Sequence, residues 1–335
     1  MSQTFSDKAR GASRILGTGR CIPDDVISNE DLEKIIDTTD EWITTRTGMK
    51  RRHKVAEGEA TSDLAARALR RAGQDAGIEL TDLDAIIVGT ATPDMPFPST
   101  ACFVQQHLDL PGIPVFDISA ACSGFIYGSS LANSLIAAGQ FERVGVIGAE
   151  TLTRITNYSD RSTCVLFGDA AGAAIYGPSD GERGVIATYL GADGSLSHLL
   201  NMPGGGSREP ASHETVDAGL HYIHMEGSEV FKSAVRAMES SAEQAIELAG
   251  IRSEEVDLLI PHQANIRIIK ATASRINIAP EKVYINVQEY GNTSAASIPI
   301  ALDEAREQGI VGEGSVIVMV AFGGGFTWGS LVVRL

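Results

Sequence analysis

Short continuous apolar runs recur along the chain at 85–89, 115–118, 144–148, 258–261 and 316–321. Runs without polar alternation are what strands show when helices cover both faces of their sheet. Between them lie stretches with the apolar spacing of amphipathic helices, which predict helices over 29–36, 63–76, 124–138, 228–249, 266–275 and 295–307. Ser28-Asn29-Glu30-Asp31 reads as a capping box for the first of these. The polar, glycine-rich stretch 177–184 is the best break in the pattern, and 202–218 reads as a long surface loop.

The pattern also repeats itself. Ala76-Gly77-Ile78 through Ile86-Ile87 matches Ala249-Gly250-Ile251 through Leu259-Ile260, each a helix end, a glycine stop, an acidic turn and a buried strand. Val115-Phe116-Asp117-Ile118 leads through Cys122 to a helix ending at Gly139. Val283-Tyr284-Ile285-Asn286-Val287 leads through Asn292 to one ending at Gly309, and the equal spacing makes Cys122 and Asn292 counterparts. Val165-Leu166-Phe167-Gly168 and Val320-Ala321-Phe322-Gly323 both open into glycine-rich turns followed by another strand. One such match is worth little; three in order predict an α/β fold duplicated in two halves, 1–180 and 181–335.

Composition narrows the class. Of 335 residues 43% are hydrophobic and 21% charged, which suits an ordinary α/β protein and excludes a disordered one. With 27 Lys+Arg against 43 Asp+Glu, the formal charge of −16 repels nucleic acid and anionic membranes unless basic residues gather locally. Cys21, Cys102, Cys122 and Cys164 form no CxxC pair, and the N-terminus MSQTFSDKARGAS has no apolar leader, so reduced thiols and a cytoplasmic location are expected. The uncharged stretches 118–141 and 315–333 are broken by polar residues or glycines and read as protein interior, not as membrane spans.

Cys122, in Ser119-Ala120-Ala121-Cys122-Ser123-Gly124-Phe125, follows a buried strand and starts a buried helix. Taken alone it is a buried small hydrophobe; at a helix N-terminus the partial positive charge there is expected to lower its pKa. His262 ends an apolar strand where open α/β sheets bind ligands, although a lone histidine there can equally cap the next helix. Asn292 can be a helix N-cap or, as the counterpart of Cys122, face the same centre. Phe322-Gly323-Gly324-Gly325-Phe326 is either a tight hairpin turn or a backbone N–H site for an anion. Together they favour thioester acyl transfer: a thiolate, two neutral donors for an enolate oxygen, and an oxyanion hole. A papain-like protease uses the same three residue types without the doubled arrangement.

Other signals are weaker. Gly17-Thr18-Gly19 has Ile22 where a dinucleotide fingerprint wants glycine, and His221 and His224 lack partners at metal spacing, so neither a Rossmann site nor a metal site is expected. Lys50-Arg51-Arg52-His53-Lys54 is the one dense basic cluster; it is a solvated loop or, with Arg46, a phosphate-binding surface.

Ala120-Ala121-Cys122-Ser123-Gly124-Phe125, His262-Gln263-Ala264-Asn265-Ile266-Arg267, Gly291-Asn292-Thr293-Ser294-Ala295-Ala296-Ser297 and Ala321-Phe322-Gly323-Gly324-Gly325-Phe326-Thr327-Trp328-Gly329 together resemble bacterial 3-oxoacyl-acyl-carrier-protein synthase III of the thiolase superfamily. The resemblance runs from about residue 15 to the C-terminus. It implies a thiolase-like, five-layered αβαβα fold with two pseudo-twofold-related halves, and a homodimer that starts fatty acid synthesis.

By the same resemblance, acetyl-CoA or another short acyl-CoA acylates Cys122. Malonyl-acyl-carrier protein then loses carbon dioxide while His262 and Asn292 hold its thioester carbonyl, and the backbone N–H groups of Cys122 and Gly324 form the oxyanion hole. Trp42, Arg46 and Arg161 are the implied CoA contacts, and Phe97, Leu152, Phe167 and Phe322 the acyl pocket, with Phe97 crossing a dimer interface. Lys232, Arg236, Gln263, Ala264, Asn265, Ile266, Arg267 and Lys270 are the implied carrier-protein contacts. Acyl-CoA is then a substrate, and no metal or other cofactor is called for. Ser123, where relatives often have Ala, and the 202–218 loop leave substrate length open. Two rivals are a specialised-metabolism acyltransferase on the same fold and a catalytically dead partner subunit; the retained Asn292 argues against the first, and retention of all three residues against the second.

Overall fold

A computed structural model describes residues 11–335. The expectation about an apolar leader falls on residues outside that range. Two sheets form the frame. The first has the order β1 (Ser13–Cys21), β7 (Asp169–Pro178), β6 (Val144–Thr151), β4 (Ala85–Gly89), β5 (Val115–Ile118). The second runs β8 (Gly184–Ala192), β13 (Thr327–Arg334), β12 (Val316–Gly323), β11 (Leu258–Pro261), and a parallel bridge from Leu259 to Val283 adds the edge that β5 occupies in the first. In each sheet the strands that carry the site are parallel (β4 with β5 and β6; β11 with β12), and the remaining pairs are antiparallel.

Helices fill the space between and outside the sheets. α3 (Thr61–Ala76) and α4 (Thr100–Leu108) cover the outer face of the first sheet, and α8 (Gly227–Ala249) covers the second with α9 (Ile266–Arg275) packed beside it. α5 (Gly124–Ala137) and α11 (Ser297–Glu307) lie between, so the layers read α-β-α-β-α. α5 touches both sheets, and its Phe125 and Ile126 are fully buried in the core that the two sheets share. The approach is close because a Cβ placed on Gly89 of β4 would meet the Gly124 backbone at 2.6 Å.

Smaller elements finish the frame. β2 (Asp25–Ser28) pairs with β3 (Arg51–Lys54) beside α1 (Asn29–Glu33) and α2 (Asp40–Thr47). The Ser28 capping box is present, with Asp31 Oδ2 accepting from the Ser28 N–H at 3.0 Å. α6 (Arg161–Cys164) and α10 (Val287–Tyr290) are single turns. The 202–218 stretch is less loop-like than its composition suggests: β9 (Leu200–Asn201) and β10 (His224–Met225) pair at its base, and it holds a short α7 (His213–Asp217) capped by Ser212.

The repeat has one feature that its spacing misassigns. α3 and α8 both end on left-handed glycines, Gly77 and Gly250, as expected. Ahead of α5 and α11, however, the matching left-handed residues are Ala121 (φ 45°) and Ser294 (φ 48°), each opening a 3₁₀ turn, Ala121–Ser123 and Ser294–Ala296. The positional counterpart of Cys122 is therefore Ala295. The glycines that close the helices misled the count because α5 is longer than α11.

Candidate active site

Cys122 lies in the 3₁₀ turn that delivers the chain from β5 into α5. The glycine hairpin between β12 and β13 rests on this turn. Thr327 Oγ1 donates to Ala120 O at 2.8 Å, Ser123 Oγ donates to Thr327 O at 3.2 Å, and a Cβ on Gly323 would lie 2.6 Å from Cys122 N. Burial pushes the Cys122 thiol up to about 12, a hydrogen bond with Ser294 opposes this, and the nearby Glu150 carboxylate adds to the rise. The expected lowering at the helix N-terminus is thus corrected: desolvation outweighs it and the resting group is a thiol.

His262 follows β11 and is 2% exposed. Burial drives its pKa down to about 3, so the imidazole is neutral. Its Nδ1 lies 2.7 Å from Ser297 Oγ, which also accepts from the Gln263 N–H at 3.4 Å. The Ser297 hydroxyl has one proton to give, and Nδ1 is the acceptor beside it, so Nε2 carries the ring's N–H. Asn292 is tied to the first half through Asn292 N–H to Leu166 O (2.8 Å) and Gly168 N–H to Asn292 O (3.1 Å). Its Oδ1 accepts from the Ser294 N–H at 2.9 Å, which fixes the amide and leaves Nδ2 as a donor.

The three side chains line one cavity of about 120 Å³, with Phe167, Leu200 and Phe322 around them and Val230, Phe231, Ala264 and Asn265 toward the mouth. A second chamber of about 220 Å³ continues from Cys122 between Ala91, Leu152, Ile155, Phe167, Ile223 and Gly324. Cys122 therefore lines both chambers, whose walls are mostly apolar. Of the expected acyl-pocket residues, Leu152 and Phe167 line the inner chamber, Phe322 lines the approach, and Phe97 is 86% exposed, away from both.

At the mouth, Arg46 and Arg161 stack on Trp42 at 4.8 and 4.9 Å from the ring centre, and Asn265 Nδ2 donates to Arg46 O at 3.1 Å, tying α2 to the start of α9. Two residues of the basic run beside it are already committed. Arg52 is buried, giving its N–H groups to Asn29 Oδ1 and Val165 O at 2.7 Å each, and Arg51 is ion-paired with Glu289. Of the carrier-protein candidates, Lys232, Arg236, Arg267 and Lys270 are exposed on α8 and α9, with Arg267 over the Phe231 ring at 5.5 Å. Ala264, Asn265 and Ile266 are half-buried at the mouth. Gln263 is the correction: it is buried, and its amide is used up by Pro261 O, Tyr284 O and the Asn286 N–H, so it has nothing to offer a partner.

Sequence reasoning passed over Glu150, Ser294 and Ser297, all buried around the three site residues. A lone carboxylate in the otherwise uncharged Val144–Thr151 strand was the signal for the first; Ser294 and Ser297 carry no comparable mark.

The profile described as 3-oxoacyl-[acyl-carrier-protein] synthase III matches residues 116–194, and its C-terminal companion matches 246–335. The chain is 54% identical to the beta-ketoacyl-[acyl-carrier-protein] synthase III of Caldanaerobacter subterraneus subsp. tengcongensis, over 96% of this chain and 98% of the relative. It is 51% identical to the protein of that name from Clostridioides difficile, over 96% and 97%. The crystal structure of 3-oxoacyl-[acyl-carrier-protein] synthase III from Aquifex aeolicus superposes with a TM-score of 0.89 at 49% identity, covering 96% of this chain and 100% of that one.

Proposed function

Because the chain belongs to the 3-oxoacyl-[acyl-carrier-protein] synthase III family, whose members are condensing acyltransferases of thiolase-like fold, we propose that Cys122, His262 and Asn292 carry out a two-stage Claisen condensation at the junction of the two chambers. The observation that carries this reading is the single cavity lined by all three side chains. In the first stage Cys122 Sγ attacks the thioester carbon of a short acyl-CoA, CoA leaves, and the acyl group extends into the apolar chamber of Leu152 and Phe167. The oxyanion is held by the N–H groups of Cys122 and Gly324. In the second stage malonyl-acyl-carrier protein enters by the same mouth. Its thioester oxygen accepts from His262 Nε2–H and Asn292 Nδ2–H, carbon dioxide departs, and the enolate so stabilised attacks the acyl carbon, whose bond to Cys122 Sγ breaks to give 3-oxoacyl-carrier protein and a Cys122 thiolate that takes up a proton from water. Both donors are neutral, which suits an oxygen that gains charge only during the reaction.

The same reading assigns Trp42, Arg46 and Arg161 to the CoA nucleotide and Lys232, Arg236, Arg267 and Lys270 to the carrier protein. It makes the enzyme a cytoplasmic homodimer, a view supported by the exposed Phe97 and Met95 and by four cysteines without a disulfide. It divides the chain at residue 180, a boundary supported by the break between the sheets from Pro178 to Gly184.

Intact-protein mass after mixing with acetyl-CoA tests the first stage. The expected result is one acetyl adduct, absent in Cys122→Ala; an adduct that survives the substitution overturns the assignment. Arg267→Glu tests the docking face: the malonyl-carrier step is expected to slow about tenfold at low salt, with acetyl-CoA loading spared. Unchanged rates for both steps would place docking elsewhere.

A further inference from the structure

With Ala295 as the counterpart of Cys122, the duplication pairs two further positions. Gly89 at the end of β4 corresponds to His262 after β11, and Gly124 at the start of α5 corresponds to Ser297 at the start of α11, at the interval that also separates Gly77 from Gly250. In the first half this contact between strand end and helix start is bare backbone, since a Cβ on Gly124 would lie 3.0 Å from Gly89 Cα. In the second half an imidazole and a hydroxyl fill it: His262 Nδ1 lies 2.7 Å from Ser297 Oγ, and both residues are buried.

Only one direction of this bond satisfies every atom. Ser297 Oγ also accepts from the Gln263 N–H at 3.4 Å, and among the described residues the hydroxyl has no hydrogen bond beyond these two. If Nδ1 carried a hydrogen and gave it to Oγ, the hydroxyl's own proton would be buried without an acceptor. With the hydroxyl donating to Nδ1, all three groups are paired and the ring's hydrogen falls on Nε2, the nitrogen left for the cavity shared with Cys122 and Asn292. The serine is itself held in place. Gln263 Nε2 donates to Pro261 O at 2.7 Å and Tyr284 O at 3.1 Å, and Gln263 Oε1 accepts from the Asn286 N–H at 3.0 Å. Asn286 Nδ2 donates in turn to Glu304 Oε2 at 2.7 Å, on the same helix as Ser297 and about two turns along it. This chain of bonds closes on α11 and fixes it against the end of β11.

We propose that Ser297 is the positioning residue of the decarboxylation step: its hydroxyl fixes the His262 ring in the Nε2–H form and holds that hydrogen toward the malonyl thioester oxygen. The inference rests on the donor role given to His262 above and supplies the group that makes it a donor. A neutral imidazole with no such partner can carry its hydrogen on either nitrogen, and with Nδ1 protonated it would turn a lone pair toward an oxygen that is gaining negative charge. A hydroxyl suits this purpose better than a carboxylate, which would favour the charged ring. Among the described residues Ser297 is the ring's hydrogen-bond partner, and burial alone accounts for the low pKa that keeps the ring neutral.

The test reads the tautomer separately from the reaction. Imidazole nitrogen shifts of His262 are measured by NMR on histidine-labelled enzyme at neutral pH and assigned by the signals missing from His262→Gln. In the wild type Nε2 is expected in the N–H range and Nδ1 in the unprotonated range. Ser297→Ala should move both shifts off these values as the Nδ1–H form becomes populated. It should also slow release of carbon dioxide from malonyl-carrier protein about tenfold, the scale of one buried hydrogen bond, with acetylation of Cys122 by acetyl-CoA within about twofold of wild type. Ser297→Thr keeps the hydroxyl and should restore the shifts and the rate together. A wild-type ring with Nδ1 protonated overturns the proposal. So does slow decarboxylation in Ser297→Ala with wild-type shifts, or in Ser297→Thr with the shifts restored, since the serine would then act only as packing. Shifts that move as expected in Ser297→Ala while decarboxylation is unaltered would leave the hydroxyl's hold on the ring standing and count instead against His262 as a donor in the proposed function.

Discussion

His262→Ala and Asn292→Ala are each expected to slow malonyl decarboxylation by about 10²- to 10³-fold, the usual cost of one donor to a developing oxyanion, while leaving acetylation of Cys122 within a fewfold of wild type. The reason is geometric. Asn292 Nδ2 and His262 Nε2 are the free donors of side chains whose other polar atoms are committed to Ser294 N–H and Ser297 Oγ. In the proposed mechanism they serve an oxygen that carries charge only after carbon dioxide begins to leave. In the same proposed mechanism the loading stage uses the other donor pair, on Cys122 and the glycine hairpin.

Release of carbon dioxide from malonyl-carrier protein, and intact mass with acetyl-CoA, separate the two stages. Equal loss of both in either variant would contradict the division. The pH behaviour adds a second reading. Because burial holds His262 down at about 3, it stays neutral over the working range, and the decarboxylation rate should show no imidazole inflection near 6.5. An inflection there that vanishes in His262→Ala would mean that the ring enters the reaction charged.

The strands were legible because both sheets are covered, so the 85–89 and 258–261 runs carry no polar residue to confuse with an exposed face, and 115–118 carries only Asp117. What composition hid was the second member of each antiparallel pair. β1 and β8 hold glycine, arginine and threonine at positions fixed by their partners β7 and β13, and nothing local marks them as strands. Duplication was visible, yet its consequence at the site was misread, since the counterpart of Cys122 is Ala295 and Asn292 enters from a separate turn pinned to Leu166 and Gly168.

The meeting of Cys, His and Asn could be argued from motifs because each ends a strand or starts a helix. Their charge states could not, because these depend on burial by residues from both halves. Cys122 illustrates the gap: the helix N-terminus is present as expected, but the apolar chambers around the sulfur raise its pKa instead of lowering it.

Gly323→Ala is the other substitution with a large expected effect, and it acts through space rather than backbone conformation. Gly323 ends β12, paired with Thr327, and has no left-handed φ to lose. The added Cβ would stand 2.6 Å from Cys122 N and 3.1 Å from Ala120 O and Ala121 Cβ, and the first of these is a backbone atom that no side-chain rotation can clear. The Cys122 turn is held by Thr327 and Ser123, so it must move as a unit or surrender the N–H that would bind the oxyanion.

Overpacking of this kind costs about 1–3 kcal/mol of stability, which a core of this size survives. Loss of one oxyanion donor costs about 10²- to 10³-fold in rate, so acetyl-CoA loading should fall by that factor in a protein that still melts cooperatively. Gly194→Ala is the control, since a Cβ there meets nothing within 4 Å. If Gly323→Ala loads acetyl groups at the wild-type rate, the Cys122 N–H takes no part in holding the oxyanion. The glycine run would then be only the tight hairpin that its composition equally allowed.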